Sequence, residues 1–159
     1  MPLTIRTATP ADVPVIVDYN RRLARETEHK RLDPATVSAG VAAAIADPIT
    51  KGPYYLACDG EDVVGQLQVT LEWSDWRNGW FWWIQSVYVR DGHRGKGIFR
   101  ALYQHVRSRA TAAGNVIGIR LYVERENTAA QATYSRLGMS LLPYMVLEEA
   151  LSAGYQLPK

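Results

Sequence analysis

The segment from Ser86 to Leu102 constrains this chain more than any other. Ser86–Val89 reads as a buried strand, and Arg90–Gly97 as a glycine- and base-rich turn. Ile98, Leu102, Val106 and Ala110 then recur every four residues, the stripe of an amphipathic helix. A strand, a glycine turn and a helix in succession leave backbone N–H groups exposed at the helix start. The positive end of the helix dipole lies there, among the cationic side chains of Arg94, Lys96 and Arg100. Such a site binds phosphate or pyrophosphate.

The 159 residues fit one domain, 1–159, with enough length for a core. The formal charge is only +2, from 18 basic and 16 acidic residues, so bulk charge does not point to nucleic acid. The basic residues gather between Arg90 and Arg109, which marks a local anion site. Cys58 is the single cysteine and lies in an apolar run, so a buried thiol is expected, with no disulfide. No His/Cys cluster has metal spacing, and no metal is expected. There is no signal-like start and no apolar run long enough to span a bilayer. A cytoplasmic protein with no nucleic-acid or membrane partner is the expectation, with a homodimer as a possible assembly.

The pattern along the chain alternates strands and helices. Leu3–Ala8 is a short strand. Thr9, Pro10 and Asp12 form a helix start, followed by the stripe Val13, Ile16, Val17 and Leu23. Asp33-Pro34 opens a second helix and Asp47-Pro48 ends it. Tyr54–Cys58 and Val63–Leu71 are strands, the second with Val63, Gly65, Leu67, Val69 and Leu71 on one face. Trp73–Gly79 is a polar loop, and Trp80–Val89 is a strand apolar enough to be buried on both faces. Gly114 caps the helix that starts near Gly95. Val116–Val123 is a strand, Thr128–Gln131 a capping box, Gly138 a helix stop, and Met139–Glu148 a last strand. The order predicts an α/β (α+β) fold. Its sheet is mixed and mostly antiparallel, with at least one parallel crossover and helices on both faces.

Three stretches resemble the GNAT family of N-acetyltransferases. Arg94-Gly95-Lys96-Gly97-Ile98-Phe99 resembles its acyl-CoA signature R/Q-x-x-G-x-G/A, with Phe99 at the last position. Leu121–Asn127 resembles its fifth strand and the Asn that follows. Ala132–Met139 resembles its A-x-x-Y-x-[KR]-x-G-[FM] run. The resemblance implies acetyl transfer from acetyl-CoA to an amine by direct attack in a ternary complex. It implies that the strands 80–89 and 116–123 splay apart, with Val87 and Val89 pairing to the pantetheine. The N–H groups of Gly95, Lys96, Gly97, Ile98, Phe99 and Arg100 would hold the pyrophosphate, aided by Arg94. Asn127 would touch the pantetheine or order its loop, and Tyr134 would protonate the leaving thiolate.

The base is sought among nearby residues. Some polyamine-type relatives carry Glu-Asp where this chain has Gln85-Ser86, so Gln85 is expected to orient a water or the acceptor, and Glu72 to act as base. Glu26 and Glu28, expected in the segment joining the first two helices, are candidates for a cationic acceptor. Trp73 and Trp76, expected in the loop, would wall its pocket or make a subunit contact. A non-catalytic acyl-CoA sensor on the same fold is the alternative. A Walker-type or dinucleotide site is excluded, since G-x-x-x-x-G-K-[ST] is absent and Arg100 stands where G-x-G-x-x-G needs glycine.

Overall fold

The computed structural model describes residues 2–158. The chain forms two compact units, one ending at Tyr122 and one beginning at Val123. The first holds β1 (Leu3–Thr7), a 3-10 turn (Pro10–Asp12), α1 (Val13–Glu28), α2 (Pro34–Ala46), α3 (Pro48–Lys51), β2 (Tyr54–Asp59), β3 (Asp62–Ser74), β4 (Gly79–Val89), α4 (Ile98–Ala113) and β5 (Val116–Leu121). The second holds α5 (Thr128–Arg136).

Short polar residues set the helix boundaries. The Asp12 carboxylate accepts from the N–H of Thr9 (2.7 Å) and from its hydroxyl (3.0 Å), closing the turn before α1. Both nitrogens of the Arg6 fork reach the same carboxylate at 2.8 Å, tying β1 to the start of α1. Asp33 caps α2 through the Thr36 N–H at 2.9 Å. Asp47 follows α2, as expected, and also caps the one-turn α3 through the Thr50 N–H at 3.2 Å.

The five strands lie in sequence order. Every neighbouring pair is antiparallel except β4–β5, which is parallel and joined by α4. This is the mixed, mostly antiparallel sheet that the element order predicts. Alternate β2 residues separate the two faces. Tyr54, Leu56 and Cys58 pack with Ile16 of α1 and Val41 and Ala44 of α2. Tyr55 faces the other way: its ring meets His105 of α4, and its hydroxyl accepts from Arg109 Nε at 3.0 Å. Helices therefore cover both faces. A Cβ at Gly65 would lie 2.8 Å from Ile98 Cγ2, so glycine there lets the start of α4 settle on β3.

Several boundaries differ from the sequence reading. β3 runs on to Ser74, placing Trp73 in a strand, and only Asp75–Asn78 form the turn. β3 is also buried on both faces, with Val64 and Gln66 as enclosed as Leu67, because helices cover both sides. Glu26 and Glu28 lie in the last turn of α1. In the second unit the cap of α5 is Asn127, whose side chain accepts from Ala130 N–H, and Thr128 is the first helical residue. β5 ends at Leu121. Met139–Glu148 forms no strand: it carries no ladder among the described residues, and a strand exists only by pairing.

Candidate functional site

The centre of the sheet is irregular where the sequence is most apolar. The β3–β4 register passes from Gln66↔Tyr88 to Gln68↔Gln85, so Ser86 and Val87 together oppose Leu67. This is a bulge, with Ser86 at φ +51°. Buried polar groups hold it. Gln66 Nε2 donates to the Ser86 carbonyl (3.1 Å) and to Asn20 Oδ1 of α1 (2.9 Å). Asn20 in turn donates to the Tyr54 hydroxyl at 3.4 Å. Beyond the bulge the parallel partner is gone: the β4–β5 ladder ends at Ile84↔Leu121. The Arg90 N–H bonds Val64 O on β3 (2.9 Å), so by strand alternation Val87 and Val89 aim their backbone toward the side that β5 has left. An extended ligand could pair there as a strand would. One group on that edge is already engaged, since Val89 O accepts from Arg94 Nε at 3.0 Å.

The β4–α4 turn leads to a helix start without a side-chain cap. Gly97 is the N-cap at φ +78°, and Gly95 precedes it at φ +74°. A Cβ on either would meet nothing within 4 Å, so left-handed backbone rather than crowding within the chain demands glycine. The Ala101 N–H returns to Gly97 O at 3.0 Å. The first-turn N–H groups, from Ile98 to Arg100, precede any helical acceptor and point out of the helix. The Ile98 side chain is buried, leaving its backbone for a ligand, and Phe99 is half-buried with its ring 6.3 Å from Tyr103. Lys96 and Arg100 are exposed.

Arg94 is a brace as well as a charge. Its Nη2 meets Glu26 Oε2 of α1 at 2.7 Å, and its guanidinium lies 5.4 Å from the centre of the Tyr88 ring. Tyr88 donates to the other Glu26 oxygen at 3.3 Å. The hydrogen bond to Glu26 pushes the Arg94 pKa up. Glu26 thus ties α1, β4 and the turn together, a role that sequence alone did not show.

Toward the other end of β4, polar and aromatic groups share the α1/α2 face of the sheet. The registers Glu72↔Phe81, Thr70↔Trp83 and Trp83↔Arg120 bring them side by side. Trp83 Nε1 donates to Glu72 Oε1 at 2.7 Å. Arg120 Nη1 lies 3.3 and 3.4 Å from the two Glu72 oxygens, and its guanidinium stacks 3.6 Å from the centre of the Phe81 ring. The Trp83 ring contacts Tyr122 at 4.6 Å, and Gln85 Nε2 donates to the Thr70 hydroxyl at 3.4 Å. Both Glu72 oxygens already face donors, which suits a fixed anion that orients Arg120. Arg120 was not singled out from the sequence, although it is the one charge in the apolar run Val116–Leu121. Trp73 lies apart from this group, on the opposite face, edge-on to Trp80 at 5.0 Å. Glu28 is also apart; it is exposed and 3.9 Å from Lys30.

In the second unit the Asn127 side chain is occupied in capping α5, at 3.1 Å from the Ala130 N–H. Gln131 Nε2 donates to the carbonyls of Glu124 (3.1 Å) and Arg125 (2.9 Å) and fixes the same turn. Tyr134 is half-buried in α5, and burial pushes its phenol pKa up. The hydroxyl therefore stays protonated at neutral pH, the state a proton donor needs.

These features define a class: an α/β protein whose sheet parts between two parallel strands, beside an uncapped helix start. The chain belongs to the acetyltransferase (GNAT) family, whose sequence model matches residues 20–139. It is 30% identical over 145 residues to the L-methionine sulfoximine/L-methionine sulfone acetyltransferase of Pseudomonas paraeruginosa, a match covering 89% of this chain and 82% of that one. It is 43% identical over 63 residues to the mycothiol acetyltransferase of Mycolicibacterium gilvum, covering 37% of this chain and spanning only about a fifth (21%) of that protein. Among solved structures, a possible acetyltransferase from Clostridium difficile 630 superposes with a TM-score of 0.89. It is 42% identical, over 96% of this chain and 99% of the other. Among the described residues no helix is long and apolar enough to cross a membrane.

Proposed function

We propose that this protein transfers the acetyl group of acetyl-CoA to the amine of a small acceptor that also carries a carboxylate, such as an amino acid. The observation that carries the reading is the parted strand edge at Val87 and Val89, continuous in the chain with the glycine-capped start of α4. The edge suits the amide-bearing pantetheine arm, and the helix start, with Lys96 and Arg100, suits its pyrophosphate. Acetyl-CoA, when bound, supplies the thioester carbonyl that the amine attacks, with cleavage of its C–S bond.

The residues of this chain divide the remaining work. Arg94, locked by Glu26, holds the turn in its anion-binding shape. Gln66 and Asn20 hold the bulge. Gln85 faces the acceptor side and orients the amine or a water. Tyr134 donates its phenolic proton to the leaving sulfur, and its raised pKa keeps that proton in place until negative charge develops. The incoming ammonium must lose its own proton, either to Glu72 or to water. The hydrogen bonds to Glu72 favour water.

Arg120 supports the acceptor class. Its contacts to Glu72, at 3.3 and 3.4 Å, are longer than the roughly 2.7–2.9 Å of a strong charge-assisted bond. A ligand carboxylate can therefore engage the guanidinium more closely, over the floor formed by Trp83 and Phe81. The Pseudomonas relative, whose substrates are amino-acid derivatives, supports the same class.

The test is release of CoA thiol from acetyl-CoA across a panel of amines. Turnover is expected with amino acids or their sulfone and sulfoximine derivatives, and loss of turnover with the matching decarboxylated amines. Thiol release with polyamines alone would overturn the acceptor class. Acetyl-CoA binding without transfer to any amine would leave the sensor reading.

A further inference from the structure

We propose that the cleft between α1 and the start of α2 binds a small phosphate monoester, at a site separate from the acetyl-CoA edge. Its volume is about 490 Å³, within the range of small-ligand sites, and Arg21, Arg25, Arg31, Leu32, Asp33 and Pro34 line it. All six belong to the first unit. Arg21 and Arg25 stand four residues apart on α1, so their side chains share a face. His29 ends that helix in left-handed backbone at φ +54°, and the chain beyond it brings Arg31 into the same cleft.

The acids around these arginines are already taken. Arg21 and Arg25 also border a second cleft on α1, with Asp18, Arg22 and Glu26. There Asp18 pairs with Arg22 at 2.9 Å, and Glu26 pairs with Arg94 at 2.7 Å. Glu28 faces Lys30 at 3.9 Å. Arg21, Arg25 and Arg31 have no ion pair or hydrogen bond among the described residues. The negative end of the helix dipole accounts for a cation at Arg25, in the last turn of α1. It does not account for Arg21, a turn earlier, or for Arg31, past the helix end.

The charge balance selects the ligand. Asp33 is the one carboxylate on the cleft, and its Oδ2 accepts from the Thr36 hydroxyl at 2.7 Å and from the Thr36 N–H at 2.9 Å. Those bonds hold its pKa below the ordinary value, so it stays charged. Three guanidinium groups against one carboxylate leave two positive charges, the complement of one phosphate monoester near neutral pH. Guanidinium forks also match phosphate oxygens in pairs. Leu32 and Pro34 give the cleft an apolar wall for the organic part of the ester. A long polyanion would need a basic track running on past the cleft, and Asp18, Glu26 and Glu28 interrupt it.

The experiment titrates the full ¹⁵N-labelled chain with glycerol 3-phosphate, without and with CoA, and reads backbone and arginine Nε resonances. Glycerol, and sodium chloride at matched ionic strength, are the controls. Saturable shifts at millimolar probe are expected at Arg21, Arg25 and Arg31, and CoA should leave them in place. Arg21→Gln and Arg25→Gln should each weaken binding about tenfold or more. Asp33→Asn keeps an oxygen to cap α2 and removes the one negative charge, so it should tighten binding about threefold. Thermal melting checks that each variant is folded. Shifts no larger than those from sodium chloride would overturn the proposal. So would displacement of the probe by CoA, or an affinity that none of the three variants changes. None of these readouts depends on acetyl transfer.

Discussion

Gly97 and Gly114 stand at opposite ends of α4 with nearly the same backbone, φ +78° and +79°, and a Cβ on either would meet nothing within 4 Å. Alanine at each position should therefore cost only left-handed strain, about 1–2 kcal/mol. In a chain of this size each kcal/mol moves Tm by roughly 2–4 °C, so both variants should melt about 2–8 °C below wild type. They should part when ligand is added. A ligand at a hundred times its Kd stabilises the folded state by about 2.7 kcal/mol, which for wild type is roughly 5–11 °C. Alanine at Gly97 pulls the backbone part of the way out of that strained conformation, which turns the first N–H groups of the helix away from a bound pyrophosphate. Losing one such charge-assisted bond weakens binding about tenfold or more. At the same ligand concentration a tenfold loss lowers the stabilisation by about 1.3 kcal/mol, or roughly 3–5 °C. Gly114→Ala, at the far end, should keep the full shift. The assay is differential scanning fluorimetry of protein stripped of CoA, with and without acetyl-CoA. Equal ligand shifts in the two variants would refute the anion site at the helix start. No shift in wild type would refute it outright.

Tyr134→Phe should lower kcat by roughly 10²- to 10⁴-fold, as expected for a lost proton donor, with the acetyl-CoA Kd unchanged by calorimetry. Arg120→Ala should raise KM for a carboxylate-bearing acceptor about 10- to 100-fold, as steady-state kinetics would show, with little change in KM for acetyl-CoA. Glu72→Gln distinguishes base from brace: a base requires kcat/KM to recover as pH rises, whereas an orienting anion predicts a loss that is independent of pH. The hydrogen bonds from Arg6 hold the Asp12 carboxyl down at about 2 against an ordinary 3.8. Because the folded value is depressed, the resulting stability is complete above pH 3.8 and is lost as pH falls toward 2. Allowing for solvent around the half-exposed Arg6, it amounts to about 1–2 kcal/mol. Asp12→Asn should therefore melt about 2–8 °C lower at neutral pH, and the gap should close in acid.

Residues whose local chemistry decides their structure were legible in the sequence. Asp33 before Pro34 is a cap in any context, and Gly97 and Gly114 mark helix ends because left-handed backbone favours glycine. The strand–turn–helix from Ser86 could be read because hydrophobic period and glycine spacing are both local. The pairing of strands was harder to read. Nothing near Gln66 says that a buried amide there will hold the Ser86 carbonyl, since that bond joins neighbouring strands 20 residues apart in sequence. Glu26 and Arg94 are separated by 68 residues, and only the packing of α1 on the sheet unites them. The sequence predicts a loop at Trp73 because Asn78-Gly79 resembles a loop end, whereas the hairpin continues to Ser74. Arg120 lacked a motif; its meaning comes from the register that sets it beside Trp83 and near Glu72. Met139–Glu148 has every local mark of a strand, and pairing, which local marks do not supply, is what it lacks within the described residues.

The central claim is that acetyl-CoA lies along the open edge of β4 and ends at the start of α4. Amide-resolved nuclear magnetic resonance of ¹⁵N-labelled protein, titrated with CoA and then acetyl-CoA, tests it most directly. The amides of Val87, Val89 and residues 95–100 should shift and become protected from exchange, while those of β1 and α2 stay unchanged. Protection elsewhere on the sheet, with Val87, Val89 and the start of α4 unaffected at saturating ligand, would contradict the account.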